Sequence, residues 1–162
     1  VKYWDYNDGD PYTKGALTLH SLRSTLDNDN LFFDILKTFH IENQSKIVTS
    51  QTFIDLVNRK TDKDYTWFFK QYLYNRKAPK FIYALVYNSE KKTIILYHKW
   101  INVAKDFKMP VDVIIGGKET RIYPTATTSE YDLPQSTQTF TVNKLHFYVG
   151  VEEMDFEDFS AK

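Results

Sequence analysis

The chain has 162 residues, with 21 basic and 21 acidic side chains, no cysteine, and an aromatic content of 17 % spread over 12 Tyr, 12 Phe and 3 Trp. Zero net charge removes the electrostatic footprint of a nucleic-acid-binding protein, and the missing cysteines exclude disulfide scaffolds, thiol catalysis and Cys-ligated metal centres. Few Gly and Pro among so many aromatics exclude a disordered chain, and no stretch approaches the ~20 apolar residues that span a bilayer.

The first half reads as helices. From Tyr12 to Leu26 the larger apolar side chains recur as Tyr12, Ala16, Leu19, Leu22 and Leu26, the spacing of one buried stripe. Asp10 before Pro11 has the pattern of an N-cap with proline at the first helical position. Asp27-Asn28-Asp29-Asn30 interrupts the period and opens a second helix striped by Leu31, Phe32, Ile35, Leu36 and Phe39. Ser50 begins a third with Phe53, Ile54 and Val57, and a short fourth follows Asp64 with Trp67, Phe68, Gln71 and Tyr72. Loops of a few residues between them suit antiparallel helical packing.

The pattern changes at Asn75-Arg76-Lys77-Ala78-Pro79, where proline stops helical continuation. Beyond it the period is two. Phe81, Tyr83, Leu85 and Tyr87 alternate with Lys80, Ile82, Ala84 and Val86, and Asn88–Lys92 turns the chain into Thr93–Lys99. Val111–Ile115, Gly116-Gly117 and Lys118–Tyr123 form the signature of a hairpin, with positive φ at both central residues. Gln138–Val142 and Leu145–Val151 complete about six strands. The expected fold is α+β, an antiparallel α-helical unit over residues 1–78 followed by a small antiparallel β-sandwich over 79–162.

Chemistry is sparse. His20, His40, His98 and His146 stand alone in sequence, none three or four residues from another, so this chain by itself is expected to build no zinc site. His20 reads as a helix-face residue beside a partner element and His98 as a surface or rim residue. No Gly-x-Ser-x-Gly elbow surrounds Ser21 or Ser24, and Gly116-Gly117 is a turn rather than a phosphate cradle. The carboxylate pairs Asp8/Asp10, Asp27/Asp29 and Glu152/Glu153 and the Asp155/Glu157/Asp158 cluster read as hydrated loop and terminal groups. The aromatic run Tyr65–Tyr74 is core at helical spacing rather than a stacking platform.

One segment asks for more than a scaffold reading. In Asp10-Pro11-Tyr12-Thr13-Lys14-Gly15-Ala16, a glycine early in a good helix costs about 1 kcal/mol against alanine. Gly15 and Ala16 would let another element approach closely, beside a Tyr12 hydroxyl aimed into a cleft. Equally, Tyr12 could be a core aromatic with its hydroxyl at the rim.

These residues resemble the zinc metallopeptidases of the aminopeptidase N and leukotriene hydrolase family, the gluzincins. The match runs through Tyr12, Lys14, Gly15, Ala16, Leu19, Leu22 and Arg23, then Leu31-Phe32-Phe33 with Ile35-Leu36, then Thr49–Phe53, and finally Trp67–Leu73 leading to Pro79. It spans roughly residues 6–87 in order. The resemblance implies the end of a thermolysin-like catalytic domain followed by the family's sandwich, with Tyr12 as the catalytic donor to the oxyanion of a tetrahedral intermediate. It also implies zinc in the full-length parent and a peptide substrate there. The family's HExxH and Gly-x-Met-Glu-Asn motifs are absent, and in the family both precede the tyrosine segment. The expectation is therefore a C-terminal fragment of a zinc aminopeptidase-like hydrolase, without metal and inactive alone, whose helical face can self-associate. Two alternatives stay open. One is a non-catalytic binding or scaffolding module on the same fold. The other is an unrelated carbohydrate- or protein-binding sandwich with a helical appendage that uses surface aromatics such as Trp100 or Tyr131.

Overall fold

A computed structural model describes residues 10–162 apart from Lys105, Ser136 and Gln138. Helices come first: α1 (Asp10–Leu26), α2 (Asp29–Glu42), α3 (Ser50–Thr61) and α4 (Thr66–Phe69), the last continuing as a π-helical turn over Lys70–Tyr74. Seven strands follow, β1 (Lys80–Asn88), β2 (Thr93–Ile101), β3 (Val111–Ile115), β4 (Lys118–Ile122), β5 (Ser129–Asp132), β6 (Phe140–Val142) and β7 (Gly150–Glu153), and α5 (Phe156–Ala161) ends the chain. The arrangement is α+β, helices before strands.

Local chemistry sets the boundaries. The Asn28 side chain caps α2 by accepting from the Leu31 amide at 3.0 Å. Asp62 closes α3 in the left-handed region at φ +52°. Gly116 and Gly117 take φ values of +56° and +82°, the positive pair that the β3–β4 hairpin demands. The capping role expected of Asp10 concerns a side chain outside the described residues. On α1 the stripe is displaced from its expected line. Leu22 is fully buried and Leu19 and Leu26 pack against the core, but Tyr12 and Ala16 face solvent. The buried face is completed instead by Thr18 and Ser21, which return their hydroxyls to the Lys14 and Leu17 carbonyls at 2.7 and 2.9 Å. Such back-bonding satisfies a hydroxyl without any partner outside the helix.

The strands form two sheets. One has the order β5-β2-β1-β7, with β7 parallel to β1, and the other has the order β4-β3-β6. Alternation sends Phe81, Tyr83, Leu96, His98 and Trp100 to one face of the larger sheet. There they share a core with Val111, Val113 and Ile115 of the smaller sheet and with Leu22, Phe32, Ile54 and Phe68 of the helices. Tyr83 and Phe140 meet across the two sheets at 5.0 Å between ring centroids. The reverse face of the larger sheet presents Ile82 and Ala84, roofed by Phe159 of α5.

Three sequence expectations change here. His98 is buried at 6 % exposure, not on the surface, because its register opposite Tyr83 turns it inward, and burial lowers its pKa. Leu145–Val151 is a strand only at its end, from Gly150. Its earlier amides and side chains are spent on α1 and β3 instead, as with Tyr148 N, which donates to Ser21 Oγ at 2.8 Å. Strand β5 and helix α5 were not foreseen, since four-residue and six-residue elements carry too little periodicity to read.

Tyr83 gives an alkaline test of this core. Burial, reinforced by a 3.0 Å hydrogen bond to Glu153, raises its phenol to about 12. The group keeps its proton in the native state after the unfolded chain has released one. Its contribution is thus fully present below the ordinary tyrosine pKa near 10 and is lost as pH rises through about 12. Denaturant titrations at pH 7 to 12 are expected to show a loss on the order of 2 kcal/mol from this residue, and Tyr83→Phe is expected to flatten that alkaline decline.

Candidate functional site

Tyr12 lies in the first turns of α1 with 78 % of its surface exposed, and among the described residues no side-chain hydrogen bond holds its phenol. Gly15 faces open space, for a Cβ built on it meets nothing within 4 Å. The close approach expected at this glycine is therefore made by no element of the described chain. Among the described residues, the hydrogen bonds that tie α1 to other elements lie further along. Ser21 receives the Tyr148 amide, and His20 Nε2 donates to the Leu145 carbonyl at 2.8 Å, so His20 does sit beside a partner element. Among the described residues, Tyr12 sits in the first turns of a helix whose hydrogen bonds to other elements lie in its second half.

The other end of α1, about 16 Å away at 1.5 Å per residue, borders a cleft of about 460 Å³ lined by His20, Arg23, Ser24, Asp27 and Asp29 with Arg121 and His146. Its floor comes from strand register. Asp112 on β3 stands opposite Arg121 on β4, and Glu119 lies two residues before Arg121 on the same face. This is the face away from the core, yet Asp112 is only 3 % exposed. Arg121 grips it with Nε and Nη2 at 2.7 and 2.9 Å, and His146 Nδ1 donates to its Oδ2 at 2.7 Å. Burial pushes the Asp112 carboxyl up, but the hydrogen bonds and charges of Arg121 and His146 prevail and hold it below the usual carboxylate range. The Asp112 partner likewise raises the Arg121 pKa. The guanidinium reaches Asp27 through Nη1 at 3.1 Å, and Asn143 Nδ2 donates to Glu119 Oε1 at 2.8 Å.

Tertiary structure thus assembles what sequence spacing kept apart. His146 is isolated in sequence, yet one ligand atom from each of Asp112, Glu119 and His146 falls within 4.8 Å of the others. The nearest sequence signal was Asp112, the one charge in the apolar run of β3. Tyr12 belongs to neither this cluster nor the cleft.

The catalytic zinc that the family resemblance implies does not fit the residues present here. Among the described residues only His146 joins a group of three possible donors, no HExxH pair of imidazoles shares a helix, and Tyr12 stands at the opposite end of α1 from that group.

Among solved structures, the fold is similar to that of Legionella pneumophila aminopeptidase A in complex with aspartic acid. The TM-score is 0.72 at 16 % sequence identity, over 89 % of this chain and 18 % of that one. The likeness is one of fold, and this chain spans less than a fifth of its neighbour's length. No family model matches the sequence, and no curated protein matches it either.

The Asp112–Arg121 pair makes a stability prediction. Arg121→Met leaves a buried carboxylate with only His146, and urea unfolding is expected to show a loss of about 2–3 kcal/mol. Asp27→Asn removes a partner whose side chain is 75 % exposed, and its cost is expected to stay below about 1 kcal/mol.

Proposed function

We propose that this chain is the C-terminal portion of a zinc aminopeptidase-like hydrolase and that Tyr12 is its transition-state donor. The observation carrying this reading is the phenol of Tyr12, 78 % exposed and, among the described residues, without a side-chain hydrogen bond in the first turns of α1, within a fold shared with an aminopeptidase. An aromatic that only packed the core would be covered by the chain's own residues. The Tyr-x-Lys-Gly-Ala order around it supplies the family correspondence.

The chemistry asked of Tyr12 is modest and specific. As a peptide carbonyl becomes tetrahedral its oxygen gains negative charge, and a fixed phenol O–H donates a hydrogen bond that strengthens with that charge. The helix supplies the fixing, since anchorage of residues 18–26 in the core leaves its first turns as a rigid arm. The metal and the general base belong to parts of the parent outside this chain, which by itself binds no catalytic zinc and cleaves nothing. A peptide is the substrate of the whole protein.

In the intact parent, Tyr12→Phe is expected to lower kcat about 10²–10³-fold, the range for one lost oxyanion donor, with KM and zinc content held. An unchanged kcat removes Tyr12 from the mechanism, and a parent that hydrolyses no peptide favours a non-catalytic module on the same fold. The helical half also leaves Phe33, Ile41 and Ile47 exposed at 53 %, 56 % and 103 %, together with Tyr12. Apolar surface of this kind drives association. Sedimentation velocity is expected to show reversible self-association of the 162-residue chain as its concentration rises. A single monomeric boundary at every concentration counts against it.

A further inference from the structure

We propose that Asp112, Glu119 and His146 form a binding site for a divalent transition cation, a reading independent of the role given to Tyr12. The donor set is one imidazole and two carboxylates, a combination that suits zinc and its neighbours better than calcium or magnesium, which take oxygen alone.

The spacing is close to what such an ion needs. Ligand bonds of about 2.1 Å in a tetrahedral shell put neighbouring donor atoms about 3.4 Å apart. His146 Nδ1 lies 2.7 Å from Asp112 Oδ2 and 3.9 Å from Glu119 Oε1, values on either side of that separation. All three donor atoms lie within 4.8 Å of one another, so ligation closes the widest gap by at most about 1.4 Å, with solvent from the cleft as the fourth ligand. Coordination through Nδ1 requires the proton on that nitrogen to leave, and a metal-bound imidazole carries its N–H on Nε2.

Each donor is already oriented by a neighbour, as metal ligands usually are. Arg121 fixes Asp112 with two hydrogen bonds, and Asn143 fixes Glu119. His146 sits in a segment tied to α1 on both sides, through the Leu145 carbonyl to His20 and the Tyr148 amide to Ser21. Asp112 and Glu119 ride on paired strands, so two of the three ligands share one rigid ladder. The guanidinium of Arg121 opposes a cation, but its third nitrogen is engaged by Asp27. Glu119 has no Lys or Arg partner among the described ion pairs. Across the cleft and its floor, the carboxylates of Asp27, Asp29, Asp112 and Glu119 outnumber the guanidiniums of Arg23 and Arg121 by two, a charge excess that a divalent ion neutralises.

The test is calorimetric titration of the metal-free 162-residue chain with Zn²⁺ alone, with thermal unfolding followed in parallel. One equivalent is expected to bind in the micromolar range and to raise the unfolding temperature, since an ion that binds only the native state stabilises it. Glu119→Gln and His146→Ala are each expected to weaken binding at least tenfold, while His40→Ala, on α2, leaves it unchanged. Glu119 is exposed, so its variant keeps the fold, which circular dichroism checks. Absence of one-equivalent saturation, equal affinity in the Glu119→Gln and His146→Ala variants, or Ca²⁺ binding as tight as Zn²⁺ would each overturn the site.

Discussion

The rest of the molecule depends on one aromatic seam that binds helices to strands. Trp67 of α4 meets Phe107 edge-on at 5.4 Å, Phe107 meets Trp100 of β2 at 5.4 Å, and Trp100 meets Phe81 of β1 at 5.6 Å. Each contact is the edge-to-face geometry that the ring quadrupole favours, and each ring buries large apolar area. Trp100 is 1 % exposed, and its indole N–H donates to the Met109 carbonyl at 3.1 Å, so the polar handle of the largest core side chain is satisfied too. Tyr72 repeats the device. Its hydroxyl donates to the Tyr148 carbonyl at 3.0 Å, and burial raises its pKa well above the ordinary phenol range.

Because this seam makes the helical and strand halves pack as one core, the segment leading to β7 has to cross both. That crossing explains the polar cleft. Residues 143–148 run between the second half of α1 and the outer face of β3 and β4. They bury Asp112 on a face that alternation alone would leave wet. A buried carboxylate costs several kcal/mol unless it is paired, and Arg121 and His146 supply the pairing. The same packing buries Thr18, Ser21 and Leu22 of α1, while Tyr12 and Ala16 in its first turns stay exposed. A buried ionic cluster and an exposed phenol at opposite ends of one helix are therefore consequences of a single packing arrangement.

Helices were legible where apolar residues recur over three turns or more, as in α2 and α3, and strands where two long runs alternate, as in β1 and β2. The Gly116-Gly117 turn was legible for another reason, because few residues accept positive φ twice. Short elements escaped. Strand β5 is held by its pairing with β2, and α5 by the apolar face of the larger sheet, so neither depends on a pattern of its own. On α1 the spacing identified a helix but misassigned its first turns to the buried side. Hydroxyl groups at Thr18 and Ser21, bonded back to their own helix, buried as readily as leucines would.

The sequence by itself determined the order of helices and strands, the break at Pro79 and the hairpin turn. These are properties of neighbouring residues, governed by backbone preference and by periods of 3.6 and two. Only the tertiary structure decided that Asp112, Glu119, Arg121 and His146 share one site, because more than thirty residues separate Asp112 from His146 and nothing local couples them. Only it decided which face of α1 meets solvent, since burial there follows from what the seam leaves room to cover. Local chemistry chooses the elements, and long-range packing chooses which of their side chains meet.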